Sequence, residues 1–216
     1  MVRGILFDLD GTLINTYDLY MEVYRHAAKP YVNKELTEKE ILDLKPSTEM
    51  NFLEMISPEE ERDTAYQRFI ESYTDWHDRY FKGIYRGISD LLHKLRHSGY
   101  RMGLVTGKSR KAWELTRQKL GLDLFEVVIT DSEVDRPKPS AEGIRKAMKL
   151  MYLNHPEVIY VGDTLVDYQA ARNAGILFAT ALWAKTSEET NQLKKQMHPD
   201  GNTLFLNHPE DLLHYL

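Results

Sequence analysis

The sequence predicts an α/β fold: an open parallel sheet with helices on both faces and an all-helical insertion after the first strand. Three observations predict it. Short apolar runs with little polar alternation recur through residues 1–14 and 86–216, as in strands buried on both faces of a parallel sheet. Between these runs lie stretches with helix-capping residues at their ends. Residues 15–85 contain no run of that kind.

The first strand is placed at Gly4–Phe7. Helices follow. Thr37-x-x-Glu40 and Ser57-Pro58-x-Glu60 have the spacing of capping boxes, the second with proline at the first helical position. Tyr66, Phe69, Tyr73, Trp76 and Tyr80 recur at helical spacing and read as the buried face of an amphipathic helix rather than as a substrate-stacking surface. The joints fall near Ile14–Asn15 and Gly83–Gly87, where the two glycines suit a hinge. Residues 1–14 and 86–216 are therefore expected to form the core domain, and 15–85 a helical cap domain. Further strands are expected at Arg101–Thr106, Glu126–Thr130, Val158–Val161, Leu177–Leu182 and Thr203–Leu206. Ser89 is expected to cap a helix ending near Gly99, Ser109 one ending at Gly121, and a helix from about Leu165 to end at Gly175. Repeated strand–helix–strand units imply right-handed crossovers.

Composition narrows the function classes. The chain has 216 residues, a formal net charge of −5, 42% apolar and 28% charged residues, which excludes collagen-like, disordered and disulfide-scaffold proteins. It has no cysteine, so thiolate catalysis is excluded; a reducing, cytoplasmic compartment is expected. The longest strongly apolar stretch, Ile176–Ala184, has nine residues, whereas a membrane-spanning helix needs roughly twenty. No basic block stands out, so neither nucleic acid nor a membrane is an expected partner. Charge is uneven: residues 15–85 hold nine Lys/Arg against fifteen Asp/Glu, and the remainder nineteen against eighteen. The sequence leaves monomer and homodimer open.

Ligands of open α/β sheets bind at the carboxyl ends of the strands. After the first expected strand come Asp8-Leu9-Asp10-Gly11-Thr12; after the second, Thr106, Gly107 and Lys108; after the third, Lys138; after the fourth, Gly162, Asp163, Thr164 and then Asp167. Carboxylates cannot crowd together ionised without a cation. An oxygen-only ligand set favours a hard ion such as Mg²⁺. Thr106, the N–H groups of Gly107 and Lys108 and the Lys138 ammonium would hold an anion. Metal, anion cradle and a spare carboxylate describe phosphoryl transfer to an aspartate. Taken singly, each motif has an ordinary reading: a turn at Asp8–Gly11, a solvated loop lysine at 138, a helix N-terminus at Asp163 and Asp167. Their shared placement favours a site.

The set DLDGTL, VTGKS, RPKP and GDTLVD resembles the four motifs of the haloacid dehalogenase superfamily, in particular its phosphoglycolate phosphatase-like subfamily with a helical cap. The resemblance spans residues 4–14 and 86–183 and implies a Rossmann-like core. It implies Asp8 as nucleophile, Asp10 as general acid and then base, Thr106 and Lys138 at the phosphoryl group, and Mg²⁺ bound by Asp8, the Asp10 carbonyl and Asp163, with Asp167 acting through water or by holding Lys138. Dehalogenases of the superfamily lack an aspartate at the Asp10 position, and a phosphonatase would need a Schiff-base lysine in the cap, where Lys29, Lys34, Lys39 and Lys45 read as surface residues. The expected substrate is a small phosphorylated metabolite, phosphoglycolate first and pyrophosphate second, with a hexose-phosphate mutase as an alternative on the same fold. A phosphoacceptor signalling module, also built on an aspartate, a hydroxyl and a lysine, is smaller and lacks the insertion.

The segment Leu44–Glu49 is the expected specificity loop, with Lys45 or Arg25 meeting a second anionic group of the substrate. Steering of an anion would come from Mg²⁺, Lys108, Lys138 and Arg110. Gly107-Lys108-Ser109 lacks the earlier glycine of a P-loop, since position 102 is Met. His93 and His97 lack a third metal ligand and read as an exposed helix face.

Overall fold

A computed structural model describes residues 1–32, 34–44, 46–120, 123–197 and 201–216. Gly4–Phe7 forms β1, with every residue buried. The inserted segment then carries α1 (Tyr17–Ala28), α2 (Glu38–Leu44), α3 (Glu49–Ile56) and α4 (Arg62–Tyr80). The rest alternates: α5 (Ile88–His97), β2 (Arg101–Val105), α6 (Arg110–Leu120), β3 (Val127–Ile129), α7 (Glu142–Leu150), β4 (Val158–Gly162), α8 (Leu165–Ala174), β5 (Leu177–Ala181), α9 (Ser187–Gln196) and β6 (Thr203–Leu206).

The six strands form one parallel sheet in the order β3-β2-β1-β4-β5-β6. Each expected strand is present, trimmed or extended by a residue at its ends. The central strand β1 pairs with β2 and β4, with Phe7 opposite both Leu104 and Val161. Asp8, Thr106 and Asp163 thus leave the same edge of the sheet, at the point where the strand order reverses. One face packs Ile5, Phe7, Leu92 and Trp113 into a core, and the other Leu6, Ile144, Tyr160 and Phe178. Parallel strands need both faces covered, which is why they read as continuous apolar runs.

The inserted helices have their own apolar core, around Tyr24, Phe52, Phe69 and Tyr73. The α4 aromatic stripe is that core's wall: Phe69 and Tyr73 are fully buried and pack on Tyr20 and Tyr24 of α1. The two connections to the sheet run side by side. Ile14 bridges antiparallel to Ile84, and the Asn15 N–H donates to the Gly83 carbonyl.

Two expected helix ends are different. Helix α5 begins at Ile88 after Gly87 (φ 86°), a left-handed conformation that favours glycine, so Ser89 falls inside the helix. Ser57 closes α3: its buried hydroxyl donates to the Leu53 carbonyl (2.7 Å), and only a short 3-10 turn, Glu59–Glu61, precedes α4. Gly121 lies outside the described residues. The Thr37–Glu40 box forms in both directions (2.9 and 3.3 Å), and α8 ends at Gly175 (φ 75°) as expected. His93 and His97 are exposed, their rings turned back onto the Ser89 and His93 carbonyls. Among the described residues no helix is long and apolar enough to cross a membrane.

Candidate active site

Asp8 follows β1 directly, its N–H held by the Val161 carbonyl (2.8 Å). Gly11, three residues on, has φ 83°; a β-carbon there would stand 2.4 Å from an Asp163 carboxylate oxygen. The turn therefore needs glycine both for its backbone and for the room it leaves Asp163. Thr164 caps α8 and places Asp167 at its first turn, where the carboxylate accepts the Thr164 N–H (3.1 Å) and hydroxyl (2.6 Å).

Carboxylate oxygens of Asp8, Asp163 and Asp167 lie within 4.8 Å of one another, and all three residues are buried. The Lys138 ammonium is placed among them, 2.7 Å from Asp8, 2.5 Å from Asp167 and 3.0 Å from the Tyr160 hydroxyl. Tyr160 in turn donates to the Val105 carbonyl (2.8 Å), fixing the lysine between β2 and β4. Lys185, from the loop after β5, pairs with Asp163 at 2.5 Å.

Burial pushes the Asp8 carboxyl well above the ordinary carboxylate range; Lys138 pulls it back, and the Asp167 and Asp163 charges push it up again. Burial likewise raises Asp163 against the pull of Lys185. Burial opposes ionisation of Asp167 too, but Lys138 and the hydrogen bonds from Lys138, Thr164 and Tyr160 hold it below its ordinary value. Burial alone would lower Lys138; Asp167 and Asp8 outweigh it and leave the ammonium strongly held. Like charges gathered in a buried site call for a cation, and a donor set of carboxylate oxygens suits a hard one.

Asp10 is near this cluster but turned elsewhere. Its carboxylate accepts the Thr16 hydroxyl (2.7 Å) and lies 3.1 Å from the Lys108 ammonium. Lys108 follows Gly107 in the loop after β2, yet its fully buried side chain runs toward the cap. It donates to the hydroxyls of Tyr20 (2.6 Å) and Tyr73 (2.9 Å), lies over both rings, and approaches Glu49 at 3.9 Å. Glu49 opens α3, is 2% exposed, and accepts the Tyr20 hydroxyl (2.6 Å) and the Ser109 N–H (3.2 Å). Gly107 makes room for this joint: a β-carbon there would stand 2.5 Å from the Ser47 carbonyl oxygen of the cap.

Asp8, Asp10, Thr106, Gly107, Lys108, Lys138 and Asp167 all line one cavity of about 340 Å³ between sheet and cap. Asp163 opens on the adjoining cleft, which shares Asp10 and also holds Lys185. The Lys108 N–H is occupied by the Thr106 hydroxyl oxygen (3.2 Å), while the Gly107 N–H has no partner among the described residues.

Other expected contributors are placed away from this cavity. Arg25 pairs with Glu22 and donates to the Leu36 carbonyl on the outer side of the cap, because α1 turns its Tyr20–Tyr24 face inward instead. Arg110 pairs with Glu133 and donates to the Val128 carbonyl. Lys29, Lys34 and Lys39 do not line the cavity, and Lys45 lies outside the described residues. Sequence reasoning missed Tyr20, Tyr160 and Lys185, and reached Glu49 only as the last residue of the expected specificity loop. The one signal was a tyrosine inside a fully buried strand, whose hydroxyl must find a partner.

The profile of the haloacid dehalogenase-like hydrolases matches residues 5–181. Pyrophosphatase PpaX of Bacillus cereus is 32% identical over 185 residues, 84% of each chain, and PpaX of Bacillus thuringiensis is equally similar. A protein provisionally named phosphoglycolate phosphatase from Lactobacillus plantarum has the same fold (TM-score 0.83, 21% identity, all of both chains), as does CbbY of Rhodobacter sphaeroides, solved with phosphate (TM-score 0.82, 19% identity, 98% of this chain and 96% of that one). The motifs at the sheet edge, the inserted helices and a profile match running from β1 to β5 agree, and the chain belongs to the haloacid dehalogenase-like hydrolase family.

Proposed function

We propose that the protein is a Mg²⁺-dependent phosphatase that hydrolyses a small phosphate monoester through an aspartyl phosphate on Asp8. The observation that carries this reading is Lys138 seated between Asp8 and Asp167 at the wall of the cavity. A carboxylate oxygen of Asp8 attacks the phosphorus. The bond to the ester oxygen breaks, its electron pair stays on that oxygen, and Asp10 gives it the proton of its carboxyl group. Water then attacks the phosphorus and loses a proton to the Asp10 carboxylate, while the bond between phosphorus and Asp8 breaks. Phosphate leaves, and both aspartates return to their starting forms.

The division into two steps suits a reaction that needs accelerations of up to about 10²¹. The Thr106 hydroxyl and the Gly107 N–H hold the transferred oxygens, and Lys138 balances their charge. Asp8, Asp163 and the Asp10 carbonyl, with Asp167 assisting, would hold Mg²⁺, which would supply further positive charge to those oxygens. The cap over the cavity keeps bulk water from the intermediate.

Two comparisons support a phosphorylated substrate: CbbY has been solved with phosphate and, as a mutant, with xylulose-1,5-bisphosphate. Pyrophosphate is the second reading, because the similar Bacillus proteins carry that activity in their name. The test is a panel of phosphorylated metabolites, pyrophosphate included, incubated with the protein and Mg²⁺ while released phosphate is measured. Release from at least one ester, lost in Asp8→Asn, is expected; hexose-phosphate interconversion without release would indicate a mutase instead.

A further inference from the structure

The two walls of the cavity differ in chemistry. The sheet edge supplies carboxylates and the phosphoryl-holding groups. The cap supplies the rings of Tyr17 and Tyr24, the Met21 thioether and the side chains of Ile41 and Leu42, with the polar Ser47, Thr48 and Glu49 confined to the segment that opens α3. Tyr17 and Leu42 are 44% and 48% exposed, and both stand on this wall. Apolar surface left bare inside a pocket is surface a ligand covers.

The charges beside this wall are already engaged. Lys108 and Lys138 are the cavity's cations among the described residues. Lys108 is enclosed by Asp10, Glu49, Tyr20 and Tyr73, and Lys138 by Asp8 and Asp167. A second phosphate or carboxylate on the substrate would have to leave water for a wall of rings and alkyl chains with a buried glutamate behind it. The Tyr24 ring stacks on Phe52 at 4.0 Å and lines the cavity, while its hydroxyl has no partner among the described residues. It can serve one neutral oxygen.

We propose that the leaving group is an uncharged alcohol with an apolar or aromatic body, received by Tyr17, Met21, Tyr24 and Leu42, and not a second phosphate or a carboxylate-bearing alcohol. The proposal rests on the phosphatase reading above. Cleavage leaves the electron pair of the broken bond on the ester oxygen, which takes the Asp10 proton, so the product on the cap side is a neutral alcohol. Pyrophosphate or phosphoglycolate would leave an anion there.

The experiment compares kcat/KM, with Mg²⁺, for phosphoglycolate and its amide, which match in size and differ in charge, and for benzyl phosphate, propyl phosphate and pyrophosphate. The amide is expected to exceed phosphoglycolate by at least about tenfold, and benzyl phosphate to exceed propyl phosphate by a similar factor. Leu42→Lys is expected to narrow the first gap by at least about tenfold. Wild-type preference for phosphoglycolate or pyrophosphate overturns the proposal while leaving the phosphatase reading intact. If that preference disappears in Lys45→Ala, the proposal is equally overturned and recognition passes to that lysine. Failure to release phosphate from any compound, these or the wider panel, contradicts the phosphatase reading itself.

Discussion

The Lys108 ammonium lies 3.1 Å from the Asp10 carboxylate, while its two hydrogen bonds go to tyrosines of the cap, Tyr20 and Tyr73. One side chain therefore ties the proposed acid–base residue to the helices that cover it. Burial alone would lower the Lys108 ammonium, but Asp10, Tyr73 and Glu49 outweigh it and raise it. A buried lysine so surrounded holds the geometry of its neighbours.

Lys108→Met is expected to lower kcat by roughly tenfold to a hundredfold with a smaller change in KM, because it frees the Asp10 carboxylate from Lys108 and leaves it only Thr16 among the described residues, with the phosphoryl-holding groups in place. Steady-state kinetics on the best substrate of the panel checks this. An unchanged kcat would make the contact merely structural.

Lys138→Met removes the ammonium from between Asp8 and Asp167. The expected loss in kcat is at least about a hundredfold. The variant also leaves three neighbouring carboxylates without that countercharge. Its melting temperature should therefore rise more on addition of Mg²⁺ than that of the wild-type protein. Thermal melts with EDTA and with excess Mg²⁺ measure both; for the wild type, saturation at a hundred times Kd stabilises by about 2.7 kcal/mol. Asp163→Asn should shrink the shift.

Two groups predict opposite pH effects on stability. His77 is 1% exposed, neither ring nitrogen has a hydrogen-bond partner among the described residues, and burial, with Lys119 and Lys108 adding to it and Asp78, 3.9 Å away, opposing it, lowers its pKa to about 4 from 6.5. The folded protein then binds fewer protons than the unfolded chain, so stability falls as pH drops below 6.5, by about 2 kcal/mol at pH 5. Urea melts at pH 7 and 5 should show this loss in wild type and a smaller one in His77→Phe.

Asp131 moves the other way. Burial first, and Glu49 second, raise its pKa from 3.8 to about 7. Its contribution is present below the unfolded value and is lost as pH rises through 7. Asp131→Asn should therefore stabilise the protein at pH 8, by roughly 1 kcal/mol after allowance for its partial exposure, and much less at pH 5. Equal effects at both pH values would contradict the assignment.

The sheet was legible because parallel strands buried on two faces are nearly continuous apolar runs, as Gly4–Phe7 and, but for the Tyr160 hydroxyl, Val158–Gly162 are. The sheet-edge residues were legible because Asp8, Thr106 and Asp163 each follow a strand directly, while Asp167 opens the next helix and Lys138 lies in the loop after β3. The link between core and cap was not. Lys108 reads locally as one more residue at a helix start, and nothing in its neighbourhood reveals that it points at Tyr20, 88 residues away. Tyr73 is on the buried stripe its spacing predicts, but periodicity reports the ring and is silent about the hydroxyl that meets Lys108. Glu49 lies in the segment expected to set specificity, where sequence reasoning favoured the bases Lys45 there and Arg25 on α1 over an acid. Ser57 and Ser89 show the same limit: their spacing suits a cap, but a buried hydroxyl and a left-handed glycine decided otherwise.

In the proposed reaction phosphorus passes through a covalent bond to Asp8. Rapid acid quench of the protein with Mg²⁺ and a substrate carrying radioactive phosphorus tests it most directly, followed by peptide mapping. The expected result is label on the peptide containing Asp8, lost on hydroxylamine treatment and missing from Asp8→Asn, which also releases no phosphate. Steady phosphate release by Asp8→Asn, or label on another residue, would contradict it.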